Sequence, residues 1–229
     1  MGSLTPELVS AYRRLNTCAV SNAIDRLNVR LRNEGFADAT VRCTFPDLPA
    51  VIGHAVTARI RCSTPPPTGR DYIDRTDWWN YVASVPAPRI LAVQDIDERP
   101  GLGALVGEIH ANVLKALGCV AYATNGSVRD VEAVHDCGFQ CFAGAVAVSH
   151  AFVHLVDFGG PVTLGGLRLE SEDIVYGDRH GILTVPRDVV NDIPATVDDM
   201  IEGERRVIDL CRSSRFSIES LRSLVRQLS

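Results

Sequence analysis

The sequence has no Cys-x-x-Cys pair, although it carries seven cysteines: Cys18, Cys43, Cys62, Cys119, Cys137, Cys141 and Cys211. Their odd number, irregular spacing and placement, mostly within apolar runs, argue against a disulfide framework or a zinc ribbon. They read as reduced core residues in a cytoplasm. Dense Lys/Arg runs are also missing, and 23 basic against 28 acidic residues leave a net charge of −5. The electrostatic footprint of a nucleic-acid groove is therefore absent. No apolar run approaches the ~18 residues that cross a bilayer, and the Met-Gly-Ser-Leu-Thr start lacks a basic stretch followed by an apolar one. Neither a membrane partner nor an export leader is expected, and the localisation read from this is cytoplasmic. No internal repeat is detectable. His54 has no second His or Cys nearby at metal-ligand spacing, so it reads as a satisfied structural residue.

What is present is enough to bury a substantial core: 229 residues, 46% hydrophobic and 22% charged. The expectation is one α/β domain over residues 1–229, with a C-terminal helical extension from about 186 to 229. Thr5-Pro6 offers a cap and a first-turn proline for a helix to about Leu15, and Thr17 can cap a second with apolar positions Val20, Ala23, Ile24 and Leu27. Val51–Cys62 reads as a strand whose Gly53 marks a bulge or a close approach. The proline-rich stretch Ser63–Gly69 is a surface loop. Asp71–Val85 reads as a helix with Trp78 and Trp79 on an aromatic face, and Arg89–Asp95 as a strand. Pro100-Gly-Leu-Gly103 supplies a flexible loop. From Val153 the pattern turns all-β, with short runs at 161–164, 167–169, 173–176 and 181–185. Pro186 opens a long helical segment that Pro194 kinks or restarts, and Ile218, Leu221, Leu224, Val225 and Leu228 mark a last helix.

Between Gly107 and Asp130 lies the stretch with chemistry in it. Leu105, Ile109, Val113, Leu114 and Leu117 fall at helical spacing, so Glu108–Leu117 reads as an amphipathic helix stopped by Gly118, with Glu108 in its first turn. Cys119–Ala123 reads as a buried strand, Thr124–Ser127 as a turn, and Val128-Arg-Asp130 as the opening of another short helix. Arg129 and Asp130 then emerge at a strand's carboxyl end, where α/β proteins tend to bind ligands and helix N-termini favour anions. Spacing alone does not make this a site: Arg70-Asp71 and Arg187-Asp188 repeat the dipeptide, and an acid in a first turn is ordinarily a helix-dipole partner.

The same residues resemble the RraA-like family, whose members include class II pyruvate aldolases acting on 4-hydroxy-4-methyl-2-oxoglutarate and 4-carboxy-4-hydroxy-2-oxoadipate, and ribonuclease E regulators. The resemblance begins at Thr17–Leu27 and runs through Ile52-Gly-His-Ala-Val-Thr57. It is strongest at Gly107-Glu108 and Gly126-Ser-Val-Arg-Asp130, and resumes at Pro161–Gly166 and Gly177–Ile182. It implies a β/β/α layered domain with flanking N- and C-terminal helices, assembled as a homotrimer or a dimer of trimers. It further implies Mg²⁺ or Mn²⁺ held directly by Asp130, and Arg129 on the pyruvoyl group of a small 2-oxo acid. Glu108 would orient water on the metal and take part in proton transfer. Gly107 belongs to the same signature, and the amides of Ile109 and His110 would hold the substrate carboxylate. The activity implied is cleavage of a 4-hydroxy-2-oxo acid to pyruvate, with oxaloacetate decarboxylation beside it, and the alternative is a regulator binding a ribonuclease or helicase. A methyltransferase reading lacks a glycine-rich nucleotide loop. The sequence departs from the aldolases at Asn125, where many have Asp, at Ser171-Glu-Asp173, and at His180-Gly181. Glu219 matches a tail acid only loosely and is left outside the site.

Overall fold

The computed structural model describes residues 4–67 and 75–228. In chain order it contains α1 (Pro6–Tyr12), α2 (Thr17–Leu27), β1 (Arg42–Cys43), β2 (Val51–Arg61), α3 (Arg75–Ser84), β3 (Arg89–Asp95), β4 (Ala104–Val106), α4 (Glu108–Ala116), β5 (Cys119–Thr124) and β6 (Ser127–Val128). There follow α5 (Val131–Asp136), β7 (Gln140–Ala143), β8 (Ala145–Val146), β9 (His154–Phe158), β10 (Val162–Leu164), β11 (Leu167–Leu169), β12 (Ile174–Asp178), β13 (Gly181–Thr184), α6 (Ile193–Arg212) and α7 (Ile218–Leu228). The fold is mixed α/β.

Its large sheet runs β1-β7-β5-β3-β2-β12-β13, and β9 pairs with the second half of β2. Strands β2, β3, β5 and β7 are parallel, and their side chains alternate cleanly between two cores. Ala55, Ile90, Ala92, Ala121, Ala123, Phe142, Val175 and Ile182 share one. Val56, Ala58, Ile60, Leu91, Val93, Tyr122 and Cys141 share the other with Trp78, Leu114 and Val134 from α3, α4 and α5. This is the pattern of strands buried on both faces. Phe142 and Ile182 come from opposite ends of the strand order yet lie in one cluster, so that face is the inside of a curl. A Cβ on Gly177 would come 2.6 Å from Phe142 Cζ and 2.8 Å from Ile182 Cγ2. The bridge between Phe36 and Leu183, together with β1 on β7, brings the sheet's ends near one another, giving a nearly closed barrel. Outside β12 and β13, Tyr12, Ile24, Ile193 and Val197 form a third core from α1, α2 and α6. Burying each such large apolar side chain contributes about 1.5–3 kcal/mol.

Several local expectations change. Asn16, not Thr17, caps α2, its side chain accepting the Ala19 N–H at 2.9 Å. Thr17 instead gives its hydroxyl to Asp178 at 2.6 Å. Trp78 is buried against Tyr81 and Phe158, so of the tryptophan pair only Trp79 reaches the surface. The first turn expected at Asp71 lies outside the described residues. Leu105 belongs to β4 rather than to a helix face, and Val128 to β6. After Pro186 a 3-10 turn at Arg187–Val189 intervenes, and Pro194 sits in the first turn of α6, where it starts the helix instead of kinking it. Gly53 is a close approach, since a Cβ there would lie 2.8 Å from the Pro88 carbonyl oxygen. No helix among the described residues is long and apolar enough to cross a membrane.

Candidate functional site

Three short strands, β4, β6 and β8, make a small parallel sheet in which Val106 pairs with Val128 and Val128 with Val146. Register in a parallel pair carries the residues that follow it side by side. Thus Gly107-Glu108 leaves β4 beside Arg129-Asp130 leaving β6, and the Arg129 N–H donates to the Val106 carbonyl at 3.1 Å. Gly107 caps α4 without a side chain, so Glu108 occupies the first turn, exposed. Asp130 caps α5 in the left-handed region, at φ 53° and ψ 44°. That conformation costs a non-glycine residue roughly 1–2 kcal/mol and is tolerated best by Asn and Asp.

The strained turn aims the Asp130 carboxylate at the start of α4. Its Oδ2 accepts the Glu108 backbone N–H at 3.2 Å and lies 3.7 Å from an Arg129 guanidinium nitrogen. Oδ1 has no hydrogen bond among the described residues. The two side chains are 35% and 39% exposed, so the pair is reachable by a ligand rather than sealed in the core. Gly107 has an ordinary extended φ of −135°. Its lack of a side chain is needed for space, because a Cβ would collide with Asp130 Oδ2 and press within 3.1 Å of Arg129 Cγ. Ile109 projects into solvent at 80% exposure and His110 is half-buried, both in the first turn of α4. The structure thus brings Gly107, Glu108, Arg129 and Asp130 together, with Ile109 and His110 adjoining them.

The surroundings are held rigidly. Asn125 accepts the Asp95 N–H at 2.8 Å and donates to the Asp95 carbonyl at 2.9 Å, extending the pairing of β3 with β5 by one side-chain rung. An aspartate there could not donate the second bond, which accounts for the amide at this position. The Pro100–Gly103 loop is pinned: Gly101 donates to Asp95 Oδ2 at 2.8 Å and accepts the Ser127 hydroxyl at 2.7 Å. It is not the freely flexible loop that its glycines imply. Burial raises the Asp95 carboxyl pKa, against the lowering effect of the Gly101 and Asp97 amides.

Cys62, Asp95 and Asp97 also lie close enough to suggest a metal group. Their ligand atoms are already engaged. Asp97 accepts from the Cys62 and Ser63 amides at 2.8 Å and from the Ser63 hydroxyl at 2.6 Å. The Cys62 thiol faces the Gly103 carbonyl, and burial pushes its pKa up to about 12. This cluster ties β2 to the end of β3. A hard cation that keeps most of its waters fits better at Asp130, which offers one unengaged carboxylate oxygen. His54 is structural as expected, its Nδ1 3.2 Å from the Glu172 carbonyl and its pKa lowered by burial. His180 serves Asp178, donating its backbone N–H at 2.8 Å. Glu219 lies in the first turn of α7, outside this group.

A family model described as "RraA-like: Aldolase/RraA" matches residues 17–184. A Halalkalibacterium halodurans protein named "Putative 4-hydroxy-4-methyl-2-oxoglutarate aldolase" is 24% identical over 85 residues, and the match spans 37% of this chain and only 40% of that protein. Among solved structures, an uncharacterised Pseudomonas syringae pv. tomato protein superposes with a TM-score of 0.72 at 19% identity, covering 97% of each chain. Streptomyces coelicolor RraAS2, described as an unusual member of the RNase ES inhibitor RraA protein family, gives 0.67 at 20% identity over 88% of this chain and 96% of its own. At such identities the likeness is one of fold.

Proposed function

Because the chain belongs to the RraA-like family, which holds both aldolases and RNase regulators, we propose that it is a divalent-metal-dependent lyase cleaving a 4-hydroxy-2-oxo acid to pyruvate. The observation that carries this reading is the parallel register of β4 and β6. It brings the backbone of the exposed Glu108 next to the Arg129–Asp130 pair, whose carboxylate keeps one open oxygen.

Asp130 would hold Mg²⁺ or Mn²⁺, and the bound cation would supply Lewis-acid stabilisation of the enolate formed in cleavage. Arg129 presents a fixed positive fork to the pyruvoyl group, and one preorganised donor of this kind is worth roughly 3–4 kcal/mol of barrier. The amides of Ile109 and His110, at the N-terminus of α4, orient the substrate carboxylate. Glu108 takes the proton of the 4-hydroxyl, directly or through water. As that O–H bond breaks, C4 becomes a carbonyl, the C3–C4 bond breaks, and its electron pair becomes the pyruvate enolate, which is then protonated at C3. Oxaloacetate decarboxylation reaches the same enolate by losing carbon dioxide, so it is expected as a side activity.

A homotrimer or a dimer of trimers is part of the proposal. Ile109, Val146, Val148 and Phe152 are all more than half exposed on or beyond α4 and β8, and apolar side chains so placed favour a subunit contact beside the site. The second reading, a regulator binding a ribonuclease or helicase, draws support from the fold shared with Streptomyces coelicolor RraAS2. Asp130 favours the first, since a protein-binding surface has no use for a strained carboxylate with an open oxygen. Pyruvate release from a panel of 4-hydroxy-2-oxo acids and oxaloacetate, with Mg²⁺, with Mn²⁺ and with chelator, separates the two. Release that chelator stops supports the lyase, and no release from any compound supports the regulator.

A further inference from the structure

A cleft of about 310 Å³ opens between the loop after α2, the end of β13 and the turn that follows Pro186. Arg30, Glu34, Arg168, Asp173, Thr184 and Arg187 line it, and none of these belongs to the group around Asp130. We propose that this cleft binds a small dianion, a phosphate or a dicarboxylate, between the guanidinium groups of Arg30 and Arg187.

Arg30 carries most of the argument. One guanidinium nitrogen donates to both the Thr184 carbonyl at 2.7 Å and the Thr184 hydroxyl at 2.9 Å, which fixes the plane of the group. Its Nε and other terminal nitrogen make no hydrogen bond among the described residues, and no described carboxylate pairs with it. The glycine at 35 gives it room, since a Cβ there would overlap the guanidinium. Burial disfavours the cation, and Asp25 and Glu34 oppose this only from a distance. A half-buried guanidinium with unused donors is costly unless an anion completes it, and its fork geometry matches carboxylate and phosphate.

Arg187 lies on the exposed side of the cleft. It donates to the Glu172 carbonyl and pairs with no described carboxylate. Arg168, at the rim, is already paired with Glu170 at 3.0 Å. Of the two acids, Asp173 accepts the Glu170 amide at 2.8 Å and keeps its charge, so Asp173 and Glu34 both stand as opposing charges in the lining. With Arg168 neutralised by Glu170, Arg30 and Arg187 share the cleft lining with the carboxylates of Glu34 and Asp173, so an occupant is held by the unused guanidinium donors and not by a net positive charge. Its volume, at the low end for ligand pockets, restricts the occupant to a small molecule.

Calorimetric titration of the full chain with inorganic phosphate and separately with succinate, at constant ionic strength in potassium chloride, tests this. Saturable one-site binding of either dianion is expected, and which one binds identifies the source. Arg30→Met and Arg187→Met should each weaken it by roughly tenfold or more, the loss that follows removal of a charge-assisted hydrogen bond. Glu34→Gln should tighten it, and Arg129→Met should leave it unchanged. If Arg30→Met does not fold, Arg187→Met and Glu34→Gln decide. No saturable binding overturns the proposal, as does binding that survives Arg187→Met or that Arg129→Met abolishes.

Discussion

The Asp130 carboxylate accepts the backbone N–H of Glu108 at 3.2 Å, joining two residues 22 positions apart. The contact depends on a left-handed residue at Asp130 and on the missing side chain of Gly107. It also orients the two acids differently, since Asp130 is held by its neighbours while the Glu108 side chain projects into solvent.

Gly107→Ala is expected to damage the site more than the fold. The backbone angles at Gly107 suit alanine, but the new methyl group must displace Asp130 or Arg129. Overpacking of this kind typically costs about 1–3 kcal/mol. Urea unfolding should show a loss within that range, while Mn²⁺ affinity and pyruvate release fall together. Unchanged Mn²⁺ affinity would mean that the carboxylate can move without consequence.

Glu108→Gln keeps the side chain's volume and removes its basicity. The kcat for aldol cleavage should fall by about 10²–10⁴-fold, a general-base contribution worth roughly 3–5 kcal/mol of barrier. A helix-dipole role alone would change stability by only about 0.3–1 kcal/mol and leave turnover nearly intact. Oxaloacetate has no 4-hydroxyl, so its decarboxylation should be less affected. Equal losses in both reactions would reassign Glu108 to positioning.

Asp178 gives a pH signature unrelated to catalysis. Burial pushes its pKa up, but the donors from Thr17 and His180 together outweigh burial and hold it below the ordinary value. A folded-state pKa below the unfolded one gives stability that is present in full above the unfolded value, about 3.9, and is lost as pH falls through the folded value. Asp178→Asn should cost about 1–3 kcal/mol at neutral pH and flatten the acid limb of the stability curve. Parallel acid limbs for the two proteins would show that Asp178 contributes nothing there.

Light scattering should find a trimer or hexamer at micromolar concentration, and Val148→Glu should lower the mass, because Val148 is fully exposed beside the strand that completes the small sheet. A wild-type monomer would remove the subunit contact from the account.

The residues of the candidate site could be picked out of the sequence, but not the device that brings them together. Glu108 in a first turn and Arg129-Asp130 after a strand follow from apolar spacing and turn residues. The strands that set them side by side, β4, β6 and β8, have two or three residues each, too few to show any alternation. Leu105 therefore looked like a continuation of the helix pattern. The left-handed Asp130 was equally hidden, since no glycine marks it. Asn125 reads as a departure from the aldolases until its two bonds to Asp95 are seen. Arg30 and Thr184 lie 154 positions apart, so no local pattern could bring the anion cleft into view. The long buried strands were readable as extended apolar runs rich in β-branched residues, and the amphipathic helices because their period repeats often enough to stand out.

The most direct test compares Mn²⁺-dependent pyruvate release by the wild-type chain with that of Asp130→Asn, alongside Mn²⁺ binding to both. The amide keeps the size of the carboxylate and removes its charge. With Asp130 as the anchoring ligand, the variant should fold normally, bind Mn²⁺ much more weakly and lose nearly all release. An Asp130→Asn protein that binds Mn²⁺ and releases pyruvate like the wild type would contradict the account.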